Sequence, residues 1–168
     1  KMQIGIPREM TGIESRVPLT PEAVEILTAH GHQVILQSDA GKAANYMDTH
    51  YSENGAMITD RLGEVLQADL VLKISPPTLK EIDMLKERST VISSFQVNTQ
   101  KEKKYIEKLM QRKTTAISLE RIQDEHRCFP FIRSMSGIAG NTAVLIAAEY
   151  LSNARGGKGV MLGGISGI

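Results

Sequence analysis

Short aliphatic and β-branched runs alternate along the chain with stretches whose apolar positions recur three and four residues apart. The runs open at Gln3-Ile4-Gly5-Ile6 and continue at 33–37, 69–74, 90–95 and 114–118, and each predicts a strand. The run at 69–74 is nearly all apolar and is broken by Lys73, the pattern of a strand covered on both faces. Between the runs, Thr20 is a good N-cap, Pro21 suits the first helical position, Glu22 meets the helix dipole, and Gly31 offers a left-handed stop. Leu62, Val65 and Leu66 predict a short helix over 60–67. Thr78-Leu79-Lys80-Glu81 and Thr99-Gln100-Lys101-Glu102 are capping boxes. The first opens a helix to about Arg88, and the second opens one whose buried stripe is Tyr105, Ile106, Leu109 and Met110. Strand and helix thus alternate, which predicts an α/β fold with an open, mostly parallel sheet and helices on both faces.

Elsewhere the pattern weakens. Residues 38–54 read as a loop with one or two helical turns around 48–55, and 120–133 as a loop without a long element. From Ser136 a helix is expected to about Asn153; Gly137, Ala139, Gly140 and Ala143 on it would let another backbone approach closely. The thirteen residues from Gly156 hold six glycines but satisfy neither G-x-G-x-x-G nor a P-loop, so they read as a linker. The expected organisation is a domain over 1–134, a connecting helix over 135–153 and a Gly-rich linker over 154–168.

Composition adds exclusions. With 20 basic and 19 acidic side chains, nothing favours nucleic acid or an acidic membrane surface as partner. Aromatic residues are 4% of the chain, so the core should be aliphatic, with the eight methionines as filler. A single cysteine, Cys128, and the lack of a signal-like opening predict a reducing, cytoplasmic setting. His30 and His32 straddle a glycine turn and cannot share a helical face, so no metal site is expected.

In an open parallel sheet, ligands collect outside the C-terminal ends of the strands. Arg8 and Arg16 follow the first predicted strand, Lys73 ends the third, and Gln96 follows the fourth. Cations and an amide gathered at one rim would suit a small carboxylate: guanidinium binds it through a bidentate fork, and ammonium acts as a point charge that can also polarise a keto oxygen. The plainer alternatives are arginines paired with Glu9 and Glu14 and a lysine that snorkels out of the sheet.

IGIPREMTGIESRVPLTPEAVEIL, VLKISPP and FPFIRSMSGIAGNTAVLIAAEYL together resemble the N-terminal region of alanine dehydrogenases and of nicotinamide nucleotide transhydrogenases. The resemblance covers essentially the whole chain and implies a Rossmann-like or flavodoxin-like substrate domain. It further implies that the intact protein is an NAD-dependent, homo-oligomeric enzyme interconverting L-alanine with pyruvate and ammonia, with most of the NAD site outside this chain. By the same resemblance, Arg16 and Lys73 would hold the substrate's carboxylate and keto group, and Ser136 would lie near the cofactor. Gln96 stands where such enzymes carry an acid/base histidine; an amide hydrogen-bonds but exchanges no proton near neutral pH. Two rival readings are the equivalent domain of a proton-translocating transhydrogenase and a non-catalytic small-acid binding module of the same fold.

Overall fold

A computed structural model describes residues 1–10, 12–95 and 103–163. Six strands, β1 (Gln3–Ile6), β2 (Gln33–Gln37), β3 (Met57–Thr59), β4 (Leu70–Leu72), β5 (Thr90–Ser93) and β6 (Thr115–Ser118), form one sheet. Every pairing is parallel, in the order β3-β2-β1-β4-β5-β6. The helices are α1 (Pro21–Ala29), α2 (Asp48–Glu53), α3 (Leu62–Leu66), α4 (Leu79–Met84), α5 (Lys103–Gln111) and α6 (Pro130–Leu151). The strand order reverses between β1 and β4, where such sheets place their ligand crevice.

Period-two alternation sorts the strand residues into two cores. Ile4 and Ile6 of β1 and Val34 and Leu36 of β2 pack with Val24 of α1 and Tyr51 of α2. Ile35, one step out of phase on β2, joins Val71 of β4 and Val91 of β5 under α3, α4 and α5, where Leu66, Ile82 and Leu109 meet them. Gly5, between Ile4 and Ile6, faces this second core. A Cβ there would lie 2.1 Å from the Val65 carbonyl oxygen and 3.0 Å from Ala68 Cβ. The missing side chain is therefore what lets α3 lie directly on the central strand.

Local signals largely predict the ends of the elements. The Thr20 hydroxyl accepts from the Ala23 N–H at 3.4 Å, and Gly31 takes φ +81 just past α1. The Thr78–Glu81 box closes in both directions. The second box, Thr99–Glu102, lies outside the described residues, as does Gln96.

Other expectations fail for identifiable reasons. β3 is announced only by the short run Ala56-Met57-Ile58: three residues suffice because β2 supplies its hydrogen bonds. On α5 only Leu109 is buried; Ile106 and Met110 instead line an open groove beside β6. All eight methionines are exposed, so branched aliphatics rather than Met fill the core. α6 starts at Pro130 rather than Ser136, because proline at the first helical position costs no hydrogen bond.

The chain divides into two compact units, Lys1–Arg121 and Ile122–Ile168. The second is built on α6, whose Ile138, Val144 and Leu145 are exposed. Nothing lies within 4 Å of a Cβ built on Gly137 or Gly140, so these glycines admit no close neighbour among the described residues. By length and composition α6 is the one helix among the described residues able to cross a membrane, a test that a core helix of a soluble protein also passes.

Placing a methyl group against a main-chain oxygen forces backbone movement, so Gly5→Ala should destabilise the first unit by about 1–3 kcal/mol or more. Thermal unfolding followed by circular dichroism would show the lowered midpoint; a wild-type midpoint would refute the close approach of α3.

Candidate functional site

β1 and β4 are parallel neighbours, with Ile4 opposite Leu70 and Gly5 opposite Val71, so the loops leaving their C-terminal ends emerge side by side. Arg8, Glu9, Glu14 and Arg16 lie on the first loop, and Lys73 begins the second. The Lys73 N–H donates to the Ile92 carbonyl at 3.0 Å, so the main chain is still held by β5 where this side chain departs.

Lys73 does not snorkel outward. Its side chain is 3% exposed, and its Nζ lies 2.9 Å from Glu81 Oε1 and 3.7 Å from Glu9 Oε2. Both acids are anchored to the main chain. Glu9 Oε1 accepts from the Ile74 N–H at 2.6 Å, and Glu81 Oε2 accepts from the Thr78 N–H at 2.6 Å. Glu9 Oε2 has no hydrogen-bond donor among the described residues. A buried ammonium is tolerable only with such partners, since desolvating it alone costs several kcal/mol.

Arg16 takes the opposite environment. Its side chain is 57% exposed, and it grips Glu14 bidentately, Nε to Oε1 at 2.8 Å and Nη2 to Oε2 at 2.6 Å. Hydrogen bonding to Glu14 holds the guanidinium above its ordinary range, and the charge of Glu9 adds to the effect. Glu9 lies beside Lys73, and Arg16 leaves on the same loop from the neighbouring strand. Arg8 turns elsewhere: its N–H donates to Gln37 Oε1, and its guanidinium lies 4.0 Å from Asp39.

Chemically, the β1 loop carries an exposed guanidinium fork holding a carboxylate that another carboxylate could replace, and the end of β4 carries a buried ammonium fixed by two acids. Glu9 and Glu81 are the participants that sequence reasoning did not assign. A signal existed for Glu81, because its capping box opens a helix soon after the end of β4 and so turns the carboxylate back toward the strand. For Glu9, only its place three residues past β1 hinted at this edge.

Ser136 belongs to the second unit, exposed on α6. Near the start of that helix, Asp124 Oδ1 accepts from the N–H groups of His126 and Cys128, so loop amides that could cradle a phosphate already hold a carboxylate. That loop thus offers a phosphate neither of these two amides. No grouping of metal-binding side chains occurs among the described residues.

Residues 5–139 match the family described as alanine dehydrogenase/PNT, N-terminal domain. An alanine dehydrogenase of Staphylococcus saprophyticus is 35% identical over 167 residues, 99% of this chain and 44% of that protein. Alanine dehydrogenase 2 of Staphylococcus aureus is 34% identical over the same shares. Among solved structures, an L-alanine dehydrogenase superposes with a TM-score of 0.89 at 31% identity, covering 99% of this chain and 46% of that one. A transhydrogenase from Sinorhizobium meliloti shares the fold, with a TM-score of 0.65 at 24% identity over 70% of this chain and 35% of that one. The chain spans about half the length of the curated relatives it matches.

Pairing with Arg16 holds the Glu14 carboxyl below its ordinary value of 4.5. A depressed folded-state pKa contributes stability that is present above the unfolded value and is lost as pH falls through the folded one. Glu14→Gln should therefore lower stability at neutral pH by about 1 kcal/mol, seen as a lower melting midpoint, because the guanidinium of the pair is exposed to solvent screening. The difference from wild type should close on acidification through roughly pH 5 to 3; a difference independent of pH would refute the pairing.

Proposed function

The chain belongs to the alanine dehydrogenase/PNT N-terminal domain family, and on that premise we propose that it is the substrate-binding domain of an NAD-dependent alanine dehydrogenase. The intact enzyme would oxidise L-alanine with NAD and water to pyruvate, ammonium, NADH and a proton, and run the reverse. The observation that supports this reading is that the loops bearing Arg16 and Lys73 leave the adjacent strands β1 and β4 at the reversal point of the sheet.

Pyruvate presents one carboxylate and one adjacent keto oxygen. Its carboxylate would take the place of Glu14 on the Arg16 fork, exchanging one bidentate pair for another. The keto oxygen would accept from Lys73, whose ammonium carries three donors and spends one on Glu81. As charge builds on that oxygen, a fixed ammonium beside it stabilises the transition state more than the ground state. Gln96 is proposed as a further hydrogen-bonding contact to the substrate. It cannot exchange a proton near neutral pH.

NAD, when bound, would supply the hydride acceptor, held by residues beyond those described apart from the proposed contact at Ser136. The proposed whole is a cytoplasmic homo-oligomer that takes a small-molecule substrate and neither nucleic acid nor membrane.

The test uses the full-length protein and follows NADH oxidation in the presence of pyruvate and ammonium. Lys73→Ala should cut turnover by about 10²- to 10³-fold, the scale of losing one preorganised donor. Arg16→Lys should raise KM for pyruvate by roughly tenfold, through loss of the planar fork. Near-normal activity in Lys73→Ala would overturn the assignment, as would hydride exchange between nicotinamides without any need for pyruvate.

A further inference from the structure

We propose that the groove between α5 and β6 is a site for a free α-amino acid with a bulky apolar side chain, seated by Glu120 and Arg121. Ser93 of β5 stands opposite Ser118 of β6, so these two parallel strands end together, at the rim where such sheets collect ligands. The chain leaving β6 turns at once through Leu119–Arg121. There Glu120 meets one hydroxyl from each strand end: Ser94 donates to Oε1 and Ser118 to Oε2. Both donors are neutral, so they orient the carboxylate without offsetting its charge. Burial pushes the Glu120 carboxyl up, but the hydrogen bonds from Ser118 and Ser94 outweigh it and hold the group below its ordinary value of 4.5. It is therefore an anion at neutral pH. Glu9, Glu14 and Glu81 each face a cation, whereas Glu120 makes no ion pair among the described residues.

The groove encloses about 570 Å³, the size of a small-molecule site. Ile106, Leu109 and Met110 of α5 and Ala116 of β6 supply its apolar wall, and Glu120 and Arg121 line the same space. Ile106 and Met110 are 38% and 71% exposed, so the wall has apolar surface left to cover. A carboxylate offers about four acceptor sites, of which the serines use two, and an ammonium can take another. Arg121 lies near enough for its charge to act on Glu120. An α-amino acid carries ammonium and carboxylate on one carbon, which matches two neighbouring side chains of opposite sign and leaves its own side chain for the wall. A plain amine would meet Arg121, and a plain acid would meet Glu120, each a like charge.

Isothermal titration of the full-length protein with L-leucine should show binding, with isoamylamine and isocaproate each weaker by about tenfold or more, the scale of one charged hydrogen bond. Glu120→Gln should raise the Kd for leucine by a similar factor. Leucine also has a carboxylate that Arg16 could take, so Arg16→Lys is the control, and its Kd for leucine should match wild type. The inference is overturned by absence of leucine binding, by analogues that bind as tightly, by an unchanged Kd in folded Glu120→Gln, or by a Kd that rises in Arg16→Lys. If Glu120→Gln does not fold, Met110→Asp decides: it sets an acid into the wall at an exposed helical position and should weaken leucine binding comparably, and unchanged binding would overturn the inference.

Discussion

A lysine buried at the end of a central strand dictates much of what surrounds it. Lys73 leaves β4 where β5 still holds its backbone, so its ammonium enters a space that water barely reaches. Such a charge is stable only among acids that are themselves anchored, and the two it finds come from either side of the reversal in strand order. Glu9 arrives from the β1 loop and Glu81 from the first turn of α4. Each acid also satisfies a backbone N–H that would otherwise lack a partner, so polar satisfaction of the sheet edge and placement of the lysine are one arrangement.

The fold positions these groups by simple means. Parallel pairing of β1 with β4 makes two loops, over sixty residues apart in sequence, leave the sheet together. Gly5 allows α3 to rest on β1, and the alternation of Ile4, Gly5 and Ile6 gives one face to each core. Packing of branched aliphatics then fixes the strand ends from which the polar residues project.

Much of this was readable from local chemistry. The Thr20 cap, the Gly31 stop, the Thr78–Glu81 box and five of the six strands are near-neighbour signals, written in residues that sit close together in the chain. What escaped depends on distant partners. β3 exists because β2 offers an open edge, and the stripe on α5 is half exposed because β6 leaves a groove beside it. The methionines look like core residues by type, yet packing places all eight at the surface. In the candidate site, the strand-end positions of Arg16 and Lys73 were legible. Their acidic companions were not, because a capping glutamate shows its second partner only once the helix is placed against the sheet.

The grip of Glu14 on Arg16 has its own effect on selectivity. Any molecule that approaches this guanidinium meets an internal rival already seated, so its gain is the difference between two pairings rather than the full strength of one. Uncharged look-alikes such as esters and amides offer less than the resident group and stay out. An anion that took this seat would exchange one ion pair for another, so their number would be conserved and added salt would weaken both sides of the exchange alike.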